Sequence, residues 1–132
     1  EQRIALNVGE VPEVLLLADR LQLEVVLRNL LTNAFDAVSQ ADSAQRSVSL
    51  NCEILPGARV SLVIEDTGSG LSDKVAASLF EPFLSSKSSG LGLGLVISRA
   101  IVGTHGGTLW GKVADHGIFK VVLPIHEAPK HV

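Results

Sequence analysis

The chain has 132 residues, enough for one domain with its own core and too few for two. Hydrophobic residues make up 46% of it, and a net charge of −3 excludes general attraction to nucleic acid or an anionic membrane; an anionic ligand must be held by local geometry and a few cations, with Lys87, Arg28 and Arg99 as candidates. The single cysteine, Cys52, excludes an internal disulfide, fits a reducing compartment and is expected as buried packing, while no apolar run approaches the roughly 20 residues of a membrane span.

Residues 3 to 8 alternate polar and apolar as a half-buried strand does, and Gly9 to Glu13 with Pro12 break the pattern. A short strand is expected over Val14 to Leu17. Asp19 then stands as an N-cap before Arg20 to Gln40, a run without Gly or Pro that reads as the longest helix. Leu23, Leu27, Leu30, Ala34 and Val38 recur at helical spacing and are expected to face the core. On the same helix Asn29, Asn33 and Asp36 share one narrow stripe. Asparagine competes for backbone hydrogen bonds inside a helix, so two of them one turn apart suggest a functional face, against the alternative of a solvated one.

Residues 47 to 55 and 58 to 66 are rich in β-formers and meet at Pro56-Gly57, which predicts an antiparallel hairpin. The second strand ends in Glu65-Asp66-Thr67-Gly68-Ser69-Gly70, an acid followed by a turn that lets a ligand edge approach the backbone. The Asp-Thr-Gly triplet also occurs in aspartic proteases, but those enzymes need two such carboxylates and this chain has one copy. Ser72 is expected to cap a short helix from Asp73 to Leu79, and Phe80-Glu81-Pro82-Phe83 supplies two aromatic anchors for a loop or for ordinary core packing.

Ser85-Ser86-Lys87-Ser88-Ser89-Gly90-Leu91-Gly92-Leu93-Gly94-Leu95 is either a phosphate cradle at a helix N-terminus or a flexible turn. From Leu93 to Thr104 the residues Leu93, Val96, Ile97, Ala100 and Ile101 mark a helix, stopped by His105-Gly106-Gly107. Two strands, 108 to 114 and 117 to 125, follow around an Asp115-His116-Gly117 turn, and the tail from Glu127 to Val132 is expected to fray. The four histidines are scattered, which argues against a dedicated transition-metal site. Nor is there a Walker A loop around Lys87.

Four stretches stand in a fixed order: Asn29-Leu-Leu-Thr-Asn33-Ala-Phe-Asp36-Ala, Asp66-Thr-Gly68-Ser-Gly70, Phe80-Glu-Pro-Phe83 and Gly90-Leu-Gly92-Leu-Gly94-Leu. Together they resemble the N, G1, F and G2 boxes of the ATP-binding domain of sensor histidine kinases, in the superfamily shared with gyrase, MutL and the heat-shock chaperone ATPases. The flanks Asp19-Arg20-Leu21-Gln22 and His105-Gly106-Gly107 agree with it. The resemblance spans the chain and implies a single α/β domain, a two-layer sandwich of the Bergerat type with a mixed sheet of about five strands and three helices on one face.

It further implies that ATP and Mg²⁺ are the cofactors. Asn33 would supply oxygen to Mg²⁺ with help from Asn29, and Asp66 would accept a hydrogen bond from the adenine amine. Gly68 and Gly70 would admit the base, Lys87 would be a lid cation, and Gly90, Gly92 and Gly94 would wrap the phosphates. Asp36, Phe83, Leu91, Leu93 and Leu95 would complete the nucleotide site. Hydrolytic relatives carry a water-activating Glu where this chain has Asn29, which implies slow hydrolysis and a γ-phosphoryl group kept for a histidine nucleophile.

That histidine, in the family's dimerisation domain, is missing, so the chain is not expected to phosphorylate itself. The lack of methionine and the start at Glu1 agree with a piece of a longer polypeptide. The parent would be a homodimeric inner-membrane sensor with this domain, itself monomeric, in the cytoplasm and without nucleic-acid or direct membrane contact. Its partners would be its own dimerisation domain and, indirectly, a response regulator. Asn-Ala-Phe-Asp-Ala and Glu-Pro-Phe-Leu-Ser-Ser-Lys look most like nitrogen-regulation and C4-dicarboxylate transport sensors.

Two features depart from the pattern. The lid between Lys87 and Gly90 is short, and the usual Gly-Thr before the last strand is His116-Gly117, which loses a hydroxyl. The rival readings are a stand-alone serine kinase of the anti-sigma type and a non-catalytic nucleotide-sensing module.

Overall fold

In the computed structural model, which describes residues 3–40, 46–68, 91–112 and 114–126, the elements run β1 (Ala5–Val8), α1 (Arg20–Gln40), β2 (Ser47–Leu55), β3 (Arg59–Asp66), α2 (Leu91–Thr104), β4 (Thr108–Gly111) and β5 (Gly117–Pro124). The strands form one five-stranded sheet in the order β1-β2-β3-β5-β4. Only β1 and β2 pair in parallel, joined by the long crossover through α1; the remaining pairs are antiparallel. This is the mixed sheet expected. Among the described residues there are two helices; the short helix foreseen over 73–79 lies outside them.

Helix α1 has the expected limits because Asp19 closes its N-terminus. The Asp19 carboxylate accepts a hydrogen bond from the Gln22 N–H at 3.0 Å, and no breaker interrupts the next 21 residues. Val26, Leu30, Ala34 and Val38 are buried, while Leu23 and Leu27 are only half-buried. They meet the inner sheet face at Val48, Ile64, Phe119 and Val121. Each such side chain contributes about 1.5–3 kcal/mol on leaving water.

Helix α2 forms where expected, with its start two residues earlier, at Leu91. Its buried residues are Leu95, Ser98 and Val102, whereas Ile97 and Ala100 are exposed and Val96 and Ile101 only half-buried. The helix is apolar on nearly every side, so spacing alone cannot choose a face; a serine turned inward decides it. Its C-terminus is as expected. Gly107 N–H donates to Val102 O and Gly106 N–H to Gly103 O, both at 3.0 Å, and Gly106 takes φ 78°. This is a Schellman cap, which needs a left-handed residue. Gly106→Ala is expected to lower stability by about 1 kcal/mol, read as a lower urea midpoint with an unchanged slope.

Three smaller expectations are corrected. Val14 to Leu17 is extended but forms no strand: Leu15 O accepts one hydrogen bond, from His126 N–H at 2.7 Å, too little for a ladder. Strand β4 ends at Gly111, short of 114. Cys52 is half-buried, on the wall of an apolar cavity of about 240 Å³ shared with Val14, Leu16, Leu23, Leu27 and Leu62, and desolvation pushes its thiol pKa up. No helix among the described residues is long and apolar enough to cross a membrane.

Candidate functional site

Two polar clusters lie along α1 from its middle toward its C-terminus, beyond the residues Leu23, Val26 and Leu27 that line the apolar cavity. In the first, Asn29 faces α2. Its Nδ2 donates to Gly94 O at 3.2 Å and to Ser98 Oγ at 3.1 Å. Ser98 is fully buried. The amide nitrogen of Asn29 is thus committed to clamping the two helices, and its carbonyl oxygen is the atom left to meet a cation. Sequence reasoning missed Ser98; the available signal was a hydroxyl one turn after Gly94 in an otherwise apolar helix.

The second cluster is at the end of β3. Asp66 is 4% exposed, and its Oδ1 accepts a hydrogen bond from Gly68 N–H at 2.8 Å, the Asx-turn that an acid before a glycine turn favours. Thr67 is stitched to the start of β2: its Oγ1 accepts from Ser47 N–H at 3.0 Å and its own N–H donates to Ser47 O at 3.1 Å. Gly68 is required by close approach. A Cβ there would stand 2.8 Å from Asp66 Oδ1 and 3.0 Å from Ala37 Cβ, forcing the turn away from α1.

Gly117 pairs with Asp66 in the β3–β5 ladder, and a Cβ on it would collide with the Asp66 carboxylate. From the sequence this position registered only as a lost hydroxyl. The structure makes it the clearance that lets Asp66 turn inward, a role visible only once strand pairing is known.

Asn33, 6% exposed, lies between the clusters, one turn from Asn29 and one from Ala37. The stripe from Asn29 to Ala37 is about 12 Å long at 1.5 Å per residue. Asp36 is half-buried beside it. Helix α2 begins at Leu91, so Gly92 and Gly94 belong to its first turn rather than to a preceding loop. That turn carries no acidic residue, and its outward N–H groups form a site suited to an anion. Leu95 is buried in the core and packs rather than lines a cleft. Gly70, Phe83, Lys87 and Gly90 lie outside the described residues.

The two flanking motifs also meet. His105 Nδ1 is 2.8 Å from Ile101 O, and its Nε2 accepts from Asp19 N–H at 3.0 Å. One imidazole therefore joins the end of α2 to the cap of α1. At the opposite edge His116 lies between two carboxylates, with Nε2 2.9 Å from Glu65 Oε2 and Nδ1 2.9 Å from Asp115 Oδ1. These hydrogen bonds raise the His116 pKa above its ordinary value, and the one from His116 lowers that of Asp115.

Neutral amide oxygens are hard donors, and Mg²⁺ takes few protein ligands and keeps several waters. A buried Asn33, with Asn29 oxygen nearby on the same stripe, fits an ion whose charge is balanced by phosphates.

The family described as histidine kinase-, DNA gyrase B- and HSP90-like ATPase matches residues 18–127. The chain is 42% identical over 119 residues to the C4-dicarboxylate transport sensor protein DctS of Rhodobacter capsulatus, covering 89% of this chain and 18% of that protein. It is 37% identical over 127 residues to the sensor protein FixL of Bradyrhizobium diazoefficiens, covering 94% of this chain and 25% of that protein. The chain thus spans a quarter or less of these relatives. Among solved structures, a mycobacterial sensor histidine kinase, MprB, superposes with a TM-score of 0.80 at 26% identity, over 95% of this chain and 84% of that one.

Proposed function

The chain belongs to the histidine kinase-, DNA gyrase B- and HSP90-like ATPase family, as an ATP-binding domain of the sensor histidine kinase type, and on that premise we propose that it binds Mg-ATP and donates the γ-phosphoryl group to a histidine on a separate dimerisation domain. The observation that carries the reading is the convergence of Asn33 and Asp66, both buried polar groups, with the first turn of α2 along one stripe of α1. Asp66 accepts from the adenine amine in the space kept clear by Gly68 and Gly117. The phosphates lie toward α2, where backbone N–H groups and the helix dipole offset their charge.

Asn33, with Asn29, would hold Mg²⁺, which would offset phosphate charge. What the residues of this chain supply is position: the reaction proceeds when an external imidazole lines up with the γ-phosphorus. Nothing at Asn29 can activate water, because its amide is not a base near neutral pH and its nitrogen is already bonded to Gly94 and Ser98. Hydrolysis by the domain alone is therefore slow.

Mixing the domain with γ-labelled ATP and a separately produced histidine-bearing dimerisation domain tests this. The expected product is an acid-labile phosphohistidine on the second protein, with no label on this chain. Label on a serine of a partner, or many ATP turnovers per second by the domain alone, would overturn the reading. The 42% identity to DctS further supports a parent that senses C4-dicarboxylates and passes phosphate to a response regulator.

A further inference from the structure

The imidazole of His116 contacts only acceptors. Glu65 Oε2 and Asp115 Oδ1 each lie 2.9 Å from one of its ring nitrogens. A carboxylate accepts but does not donate, so both contacts are hydrogen bonds only when both ring nitrogens carry protons. Imidazolium satisfies both contacts at once. A neutral ring would keep one bond and turn a lone pair toward the other carboxylate.

The bridge sits behind the Asp66 pocket. Glu65 directly precedes Asp66, and His116 directly precedes Gly117, its ladder partner. Side chains alternate across a sheet, so Glu65 projects from the face opposite the helices while Asp66 turns inward. The contact ties the end of β3 to the start of β5 across the outer face, at the register position where Gly117 gives way to the Asp66 carboxylate.

We propose that His116 is a positioning residue for nucleotide binding: its bridge from Glu65 to Asp115 holds the Asp66–Gly117 pair in place and so sets how well Asp66 meets an adenine edge. This rests on the reading of Asp66 as the adenine acceptor. His116 lies outside the four motifs; it acts through the two strands.

A pH dependence follows. Both partners raise the folded pKa of His116 above the ordinary 6.5, so the bridge is complete below that value and is lost as pH rises through the folded pKa. Asp115, lowered by His116, releases its side only in strong acid. The other charged groups on that face of these and the adjoining strands are Glu53 on β2, Arg59 at the start of β3, Lys120 on β5, 5.7 Å from the centre of the Trp110 ring, and the exposed Lys112 after β4. Helices α1 and α2 cover the other face of the sheet.

The test compares affinities for Mg-ATP between the wild-type chain and His116→Phe from about pH 6 to about pH 9. The ratio of the two cancels the titration of the nucleotide itself. Half-exposed ion pairs contribute modestly, so the variant is expected to bind roughly two- to five-fold more weakly at the acid end and about equally at the alkaline end. His116→Lys, which keeps a cation facing Glu65, should restore affinity and flatten the profile.

The His116 ring resonances should titrate at a different pH once ATP is bound, which a bridge unconnected to the site would not show. A ratio near one at every pH, with Asp66→Asn still weakening binding strongly, would overturn the role of His116 alone. Equal absence of binding by wild type and Asp66→Asn would instead overturn the underlying assignment of Asp66.

Discussion

Asp66→Asn is expected to lower affinity for adenine nucleotides roughly ten- to a hundred-fold while leaving the domain folded, the equivalent of losing one hydrogen bond to a charged group at about 1.5–3 kcal/mol. The substitution is nearly isosteric. An asparagine oxygen can still accept from Gly68 N–H, so the turn against Ala37 survives. Its NH₂ group replaces a carboxylate oxygen and directs a donor at the adenine amine, where two donors now face each other. Asp66→Ala is the less informative change, because it also strips Gly68 N–H of its buried partner, at about 1–3 kcal/mol of stability.

Gly117→Ala probes the same carboxylate from behind. A methyl group there collides with Asp66, whose Oδ1 is held by Gly68, so the acid must leave its present rotamer. Calorimetry with Mg-ATP should show both variants impaired, Gly117→Ala with its Asp66 chemistry intact. If Asp66→Asn binds as tightly as wild type, the base is recognised elsewhere.

The contrast between Asp66 and Gly117 shows what the sequence could disclose. Local chemistry was legible. Asp19 and the uninterrupted run after it gave α1 its limits, the Pro-Gly turn gave the hairpin of β2 and β3, and the two glycines after His105 gave the cap of α2. Each depends on residues within one turn or one strand of each other.

Functions that depend on a distant partner were not legible. Gly117 has its meaning only opposite Asp66, and Ser98 only against Asn29. His116 meets Glu65 only because β5 lies beside β3. The buried face of α2 was not legible for the same reason. Leucine, valine and isoleucine occur around the whole helix, and the choice among them is made by α1, whose Asn29 draws the polar Ser98 inward. The candidate residues Asn33, Asp66 and Gly68 stood out in the sequence because of an unusual residue type in its local setting: an asparagine inside a helix, or an acid running into a glycine turn.

Asn33→Ala should separate binding from chemistry more sharply than any other substitution. Asn33 is buried midway along the stripe that leads from the Asp66 turn to the first turn of α2, where an amide oxygen can reach a phosphate-bound cation without adding charge. Removing it leaves Asp66, Gly68 and Gly117 untouched, so metal-free ADP should bind within a few-fold of wild type. Phosphoryl transfer to a dimerisation domain should fall roughly a hundred- to a thousand-fold, the usual consequence of losing one preorganised group that stabilises transition-state charge.

The comparison with Asn29→Ala is the control. That change releases two hydrogen bonds between α1 and α2, so it should lower the melting temperature as well as transfer. If Asn33→Ala weakened ADP binding as much as it slowed transfer, Asn33 would be a general support of the pocket. If it changed neither, the metal would have to be held elsewhere. The expected outcome, transfer lost with ADP affinity kept, follows from the roles proposed for the two asparagines: Asn29 has its nitrogen committed to the clamp between α1 and α2, and Asn33 is assigned to the phosphate-bound cation rather than to the base.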